Sequence, residues 1–242
     1  MPLDLSLILP ALNEGRNIFP VFEEIASIHQ KFPFLEILVV DDGSSDQTLF
    51  TLKKARKVLN LPIRIFSHPK SLGKSASLYT AISQAKSHWI ATMDADGQDD
   101  PAFIPVLFKK ALSLSKEGKD PLVIGIRQKR EDKLSRRFAT RIANRVRSFL
   151  LKDHCSDTAA PLKVFSKDVF LSLPQFEGMH RFLPAFMKMR KGSVCMIPII
   201  HRSRLFGHSK YTNYSRALIG IVDLLGVYWL SKRYRHIFFS EH

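Results

Sequence analysis

Cysteine is nearly absent from this sequence of 242 residues, which holds only Cys155 and Cys195. Two thiols so far apart have neither the density of a disulfide scaffold nor the spacing of a metal cluster, which points to reduced thiols in a cytosolic protein. A secretory leader is missing: Met1–Leu9 has no basic start and Pro10 interrupts its apolar run, so export is not expected. Ala217–Leu230 is apolar for fourteen residues but is broken by Asp223, short of the roughly 20 that cross a bilayer. There is no Gly-x-x-x-x-Gly-Lys-Ser/Thr phosphate loop, and no Gly-x-Gly-x-x-Gly after the first apolar run, which speaks against a dinucleotide oxidoreductase. Negative charge is scarce as well, with 22 Asp and Glu against 37 Lys and Arg, a formal net charge of +15. Such an excess calls for an anionic partner: nucleic acid, a phosphorylated substrate or a negatively charged membrane face. The named nucleic-acid motifs are absent, and the aromatic residues are not interleaved with the basic helix that follows Arg127, so no nucleic-acid partner is expected.

What is present is ordinary material for a globular core, with 45% hydrophobic residues and no low-complexity linker. Leu5–Leu9 is a short apolar run of the kind buried on both faces in a parallel sheet. Asn13 is placed to cap a helix running to about Lys31. Glu36–Val40 is a second run, followed by Asp41-Asp42-Gly43-Ser44-Ser45-Asp46 and a helix with Leu49, Leu52, Ala55 and Val58 on one face. Pro62–Phe66 leads through Leu72-Gly73-Lys74-Ser75 into a third helix, and His88–Met93 and Leu122–Ile126 supply two further strands around a helix that starts at Pro101. Strands alternating with helices at this spacing indicate an α/β fold, a doubly wound, mostly parallel sheet with helices on both faces. Its ligands collect beyond the carboxyl ends of the strands.

The acidic loops fall on that edge. In Thr92–Pro101 the carboxylates of Asp94 and Asp96 share one side of an extended segment while Ala95 turns away. Two like charges so close favour a cation between them, and oxygen ligands suit magnesium or manganese held against substrate phosphates. An acidic turn capping the next helix, with Asp99 and Asp100 at its positive end, is the alternative. Asp41 and Asp42 can accept hydrogen bonds from a base or ribose, or cap the helix that follows. Glu14 reads equally as a pocket carboxylate and as a first-turn helix carboxylate. A packed or capping role is expected of His180.

From Arg127 to Lys152 ten basic residues face two acidic ones, Glu131 and Asp132. Leu134, Phe138, Ile142, Val146 and Phe149 recur at near-helical spacing, predicting a basic helix with that face inward and Arg137, Arg141 and Arg145 beside it. Further on come a strand at Pro161–Phe165, a helix around Met179–Met189 and a strand at Ser193–Ile199. The basic stretch His201–Tyr211 follows, and then the helix Tyr214–Tyr234. That last helix, ending in Lys232 and Arg233, suits an amphipathic element in a membrane interface with Tyr228 and Trp229 at headgroup depth. Packing on the core or on a second copy of the chain is equally open.

Pro10-Ala11-Leu12-Asn13-Glu14, Val39–Asp46, Leu72-Gly73-Lys74 and Met93–Pro101 together resemble the successive motifs of inverting family-two glycosyltransferases with the GT-A fold. Ser135-Arg136, Asn144, Asp157-Thr158, Pro161–Phe165 and Arg204-x-x-Gly207-x-Ser209-Lys210 are similar to the polyprenyl-phosphate sugar transferases of the dolichol-phosphate mannose synthase type. The resemblance implies a catalytic domain over residues 1–212, with 213–242 as a membrane-interface or packing element. It implies a nucleotide-sugar donor, UDP- or GDP-linked, bound by Pro10, Asn13, Glu14, Asp41, Asp42, Lys74, Asp94, Ala95 and Asp96. It places a magnesium or manganese ion on Asp94, Asp96 and Gln98. Arg127, Ser135 and Arg136 are then expected on the phosphate of a lipid acceptor, with Arg204 and Lys210 over the donor phosphates. The expected setting is the cytoplasmic face of a membrane, peripherally bound. Thr158-Ala159-Ala160 departs from the family, which usually has a Gly followed by a small residue there. A same-fold alternative acts on a saccharide or other hydroxyl acceptor, and would need an essential carboxylate base near Asp99, Asp100 or Asp157.

Overall fold

A strand that is apolar on both faces demands cover on both faces, and the chain supplies it by alternating strands with helices. The computed structural model describes residues 3–127, 145–200, 202–206 and 213–234. In order come β1 (Leu3–Ala11), α1 (Gly15–Lys31), β2 (Phe34–Asp41), α2 (Thr48–Val58), β3 (Ile63–Ser67), α3 (Lys74–Gln84) and β4 (Trp89–Thr92). A 3₁₀ turn at Pro101–Phe103 runs into α4 (Ile104–Lys116), followed by β5 (Pro121–Arg127). After α5 (145–151) come β6 (Lys163–Ser166), α6 (Lys167–Leu171), a second 3₁₀ turn at Met179–Arg181, α7 (Leu183–Met189), β7 (Ser193–Ile199) and α8 (Asn213–Arg233).

The strands form one seven-stranded sheet in the order β3-β2-β1-β4-β6-β5-β7. All pairs are parallel except those of β6, which runs antiparallel to β4 and β5. Thr92, at the end of β4, lies opposite Lys163, at the start of β6, so the chain enters β6 from the edge where its neighbours finish. Side chains alternate between two cores, as period 2 requires. Leu5, Leu7 and Leu9 meet Ile18, Phe22 and Ile25 of α1 and Leu107 of α4 on one face. Ile8, Leu38 and Val40 meet Leu78 and Ile82 of α3 with Phe170 and Phe186 on the other. Each such fully buried side chain contributes about 1.5–3 kcal/mol, which makes the sheet a firm base for the loops at its edge. Ser6 interrupts β1 without loss, because its hydroxyl donates to Glu36 Oε1 at 2.9 Å.

Two expected helix faces differ. In α2 the buried stripe is Thr48, Leu52 and Ala55, with Leu59 packed behind them, and Val58 is 59% exposed. At about 100° per residue Val58 falls off that stripe. In α5, Val146 and Phe149 were expected inward but are 47% and 81% exposed, while Arg147 and Leu151 are buried. Hydrogen bonding decides this: the Arg147 guanidinium donates to Asp153, Thr158 Oγ1 and the carbonyl of Cys155, so it is satisfied inside.

α8 has two different faces. Leu224, Val227, Tyr228 and Leu230 pack on the second core, and Asp223 pairs with Arg181 at 2.7 Å. On the outer side Ile221, Val222, Leu225 and Trp229 are exposed. No described helix is long and apolar enough to cross a membrane.

Candidate active site

The carboxyl ends of β1, β2, β4 and β5 and the amino end of β6 open onto one edge of the sheet. β1 ends at Pro10-Ala11, where Pro10 lies opposite Val40. Asn13 then takes a left-handed backbone, φ 52°, instead of capping α1. Its backbone N–H donates to Ser44 Oγ and its side-chain oxygen accepts from the N–H of Ser45. The first N–H groups leading into α1 are met from the same neighbourhood, by Thr48 Oγ1 at the start of α2 for Glu14 and by Asp46 Oδ2 for Gly15. Asn13 is therefore a staple between two loops, and a helix start left with unpaired donors is capped by tertiary contacts.

Asp41 and Asp42 are adjacent and both buried, yet differently engaged. Asp42 accepts from His68 Nδ1 at 2.7 Å, from Ser71 Oγ at 2.7 Å, and from the N–H groups of Leu72 and Gly73 at 2.9 Å each. Burial alone would raise its carboxyl, but these hydrogen bonds outweigh it and hold the group below the usual carboxylate range. Its four acceptor positions are thus given to the β3–α3 loop. Asp41 accepts from the N–H of Ser44 at 3.1 Å.

The loop fixed by Asp42 delivers Lys74, whose ammonium lies 2.5 Å from Asp94 Oδ1. Ala95 and Met93 turn into the core, leaving Asp94 and Asp96 at the edge. Asp96 accepts from the N–H of Gln98 and pairs with Arg204 at 2.7 Å, and Arg204 also reaches Glu14 at 3.6 Å. Burial pushes the Asp96 carboxyl above its ordinary value, and the charge of Asp94 adds to this, against the opposing hydrogen bonds of Arg204 and Gln98. The Gln98 side chain donates to the carbonyl of Arg202 at 3.4 Å. Asp100 accepts from the N–H of Ala102 and so caps the 3₁₀ turn.

Residues 202–206 cross this edge under several restraints. Arg202 pairs with Glu24 and Asp100, and Asn17 of α1 makes two hydrogen bonds to the backbone of Phe206. Leu205 rests on Gly97, whose φ is +77°. On the far side of the site Arg127 is gripped by Asp157 through two hydrogen bonds of 2.6 and 2.8 Å. His180 contacts Ser75 through Nδ1 at 2.8 Å, which fits the packing role expected of it. Ser135, Arg136 and Lys210 lie outside the described residues.

Three contributors escape the sequence pattern. Asn17 sits among the apolar positions of α1, and Arg202 is one cation in a basic stretch. Lys163 is flanked by Leu162 and Val164 and is only 3% exposed, and a lysine inside an apolar strand was the available signal. Burial and the nearby Lys74 push its ammonium down to about 8, while Asp94, Asp157 and Cys155 oppose this.

No group of three or more His, Cys, Asp or Glu side chains converges among the described residues. Two carboxylates remain, one with its proton affinity raised by burial and by the other. That donor set fits a hard divalent ion, which binds one or two protein carboxylates and completes its shell with phosphate oxygens and water.

Comparison with known proteins places the chain in a family. A dodecaprenyl-phosphate galacturonate synthase of Rhizobium johnstonii is 31% identical over 229 residues, covering 93% of this chain and 66% of that protein. An undecaprenyl-phosphate 4-deoxy-4-formamido-L-arabinose transferase of Salmonella paratyphi B is 28% identical over 210 residues, 86% of this chain and 62% of its own. The chain thus spans just under two thirds of the length of these relatives. Among solved structures, glucosyl-3-phosphoglycerate synthase from Mycobacterium tuberculosis in complex with UDP superposes with a TM-score of 0.72 at 21% identity. The match covers 93% of this chain and 80% of that one, and marks the same fold. The sequence profile described as "Glycosyl transferase family 2" matches residues 6–173, and on that match the chain belongs to glycosyl transferase family 2.

Proposed function

We propose that this chain moves a sugar from a nucleotide-sugar donor, a UDP- or GDP-sugar, to a polyprenyl phosphate by an inverting, metal-dependent displacement. The observation that carries the reading is the set of two carboxylates, Asp94 and Asp96, each matched to a cation, Lys74 and Arg204, at the carboxyl edge of the sheet. Such a set can exchange partners. Asp94 and Asp96, with Gln98 beside them, would hold a divalent ion, and the released ammonium and guanidinium would turn to the donor diphosphate. When bound, the ion would supply Lewis-acid stabilisation of diphosphate oxygens. Asp41, whose neighbour Asp42 is committed to the β3–α3 loop, is the carboxylate placed to meet the nucleoside.

A phosphate oxygen of the acceptor is already anionic at neutral pH, so it attacks the anomeric carbon without a strong base. The new C–O bond forms as the bond to the nucleoside diphosphate breaks, with inversion. The chain's own work is positioning and charge stabilisation. Arg204 meets the charge growing on the departing diphosphate, and Arg127, oriented by Asp157, meets the acceptor phosphate from the other side. The engagement of Asp157 by Arg127 supports a phosphate acceptor over a hydroxyl one, since that carboxylate is occupied in an ion pair. The names of the two curated relatives, which specify dodecaprenyl and undecaprenyl phosphate, support a lipid chain on it.

A lipid acceptor needs the site near a membrane. The outer face of α8, with Val222, Leu225 and Trp229 exposed and the cations of Lys232 and Arg233 over the rings of Tyr228 and Trp229, suits the interface of an anionic bilayer. Thermal-shift screening of nucleoside diphosphates with manganese tests the donor half: a ligand at 100 times its Kd adds about 2.7 kcal/mol to stability. No shift with any nucleotide would remove the reading.

A further inference from the structure

We propose that Lys163 is a fixed positive charge in the floor of the donor site, a positioning residue that makes the pocket receptive to an anionic nucleoside diphosphate independently of any metal. The inference rests on the reading of this edge as a donor site. Lys163 begins β6, with Cα partners Thr92 on β4 and Ile124 on β5, so it stands between the strand that leads to Asp94 and the strand that ends at Arg127. An ammonium carries three N–H donors, and among the described residues this one has a single hydrogen-bond partner, the carbonyl of Ala160. It has no ion pair. The nearby carboxylates are already matched, Asp94 to Lys74 and Asp157 to Arg127, and beyond them Asp96 to Arg204. Among the described residues Lys163 is therefore a surplus cation of the cluster.

Burying such a charge is costly, and an apolar residue of similar volume in the same slot is often neutral or stabilising. Fold stability gives no reason for a lysine between Leu162 and Val164, both fully buried. An anion entering the edge supplies the missing negative charge, and in a low-dielectric floor the attraction acts at several ångströms. The depressed ammonium described above is consistent with this setting and still leaves Lys163 mainly charged at neutral pH.

Sign separates this role from a packing role. Removing a cation from the floor disfavours an anion and favours a metal ion, whereas loosening the site weakens both. Wild type, Lys163→Met and Lys163→Arg are titrated calorimetrically with Mn²⁺ alone, then with UDP and with GDP both without metal and at fixed Mn²⁺, with Lys163→Gln in place of the Met variant if that one fails to fold. The expected result for Lys163→Met is a loss of about tenfold or more in nucleotide affinity with Mn²⁺ binding unchanged or tighter. Lys163→Arg, which keeps the charge, should hold nucleotide affinity within about threefold of wild type. Parallel weakening of both ligands, unchanged nucleotide affinity, or equal losses in the Met and Arg variants would overturn the proposal. Failure of wild type to bind either nucleotide counts instead against the donor site itself, and takes this inference with it.

Discussion

Asp42→Asn should destabilise the protein far more than the loss of one exposed charge would. The carboxylate accepts from four donors, and it lies at 4% exposure where water cannot replace them. Asparagine keeps one acceptor oxygen and turns an NH₂ toward the rest. The Ser71 hydroxyl can rotate to accept from it, but a backbone N–H such as that of Gly73 cannot. One unsatisfied buried donor costs about 1–3 kcal/mol, and each remaining bond loses about 1 kcal/mol as it falls from charge-assisted to neutral. The sum is about 3–5 kcal/mol, a large part of the ~5–15 kcal/mol that holds a domain together. The acid limb gives a second signature. Asp42 is depressed in the fold, so its contribution is complete above the ordinary carboxylate value of about 3.9 and fades as pH falls through its lower folded value. Urea unfolding of wild type and variant between pH 7 and pH 2 measures both. Because the same loop carries Lys74 to Asp94, nucleotide binding should weaken with stability. A variant within 1 kcal/mol of wild type at pH 7 would refute the clamp.

Two further outcomes follow from the geometry. Gly97→Ala places a Cβ 2.6 Å from Leu205 Cδ1 at a φ of +77°, whereas Gly118→Ala meets open space at +74°. Both should lose about 1–2 kcal/mol from backbone strain in urea titrations, and only Gly97→Ala should also impair nucleotide binding, by displacing the segment that carries Arg204. For Lys163, lowered from 10.5 to about 8, the unfolded chain binds more protons between those pH values. The stability of wild type relative to Lys163→Met should therefore rise by about 3 kcal/mol from pH 8 to 10.5 and stay flat below pH 7, and an unchanged difference across that range would show that the ammonium is not buried.

The sheet and its acidic edge were legible because they rest on local signals. Apolar runs such as Ile37–Val40 end in turn residues, and the period-2 pattern fixes which side chains enter which core. The convergence of Asp94, Asp96, Lys74 and Arg204 could be read only as far as motif order allows, since Arg204 arrives from 108 residues beyond Asp96. Asp41 and Asp42 look interchangeable in sequence. What separates them is the return of Ser71–Gly73, about thirty residues on, to the side of Asp42. The inward face of α5 was misjudged for a similar reason: apolar spacing cannot reveal that Asp153 and Thr158 wait to satisfy Arg147. The antiparallel entry of β6, and with it the place of Lys163 between β4 and β5, depends on where the chain re-enters the sheet, which no local pattern encodes.

The most direct measurement is transfer itself. The protein, with manganese and a panel of UDP- and GDP-sugars, is given a short polyprenyl phosphate or the matching polyprenol, and products are read by mass spectrometry. The expected product is a polyprenyl phosphosugar with the anomeric configuration inverted from the donor, formed from the phosphate and not the alcohol. Arg204→Ala should lose about 10²–10³-fold in rate. Glycosylation of the alcohol, or full activity in that variant, would contradict the proposed transfer.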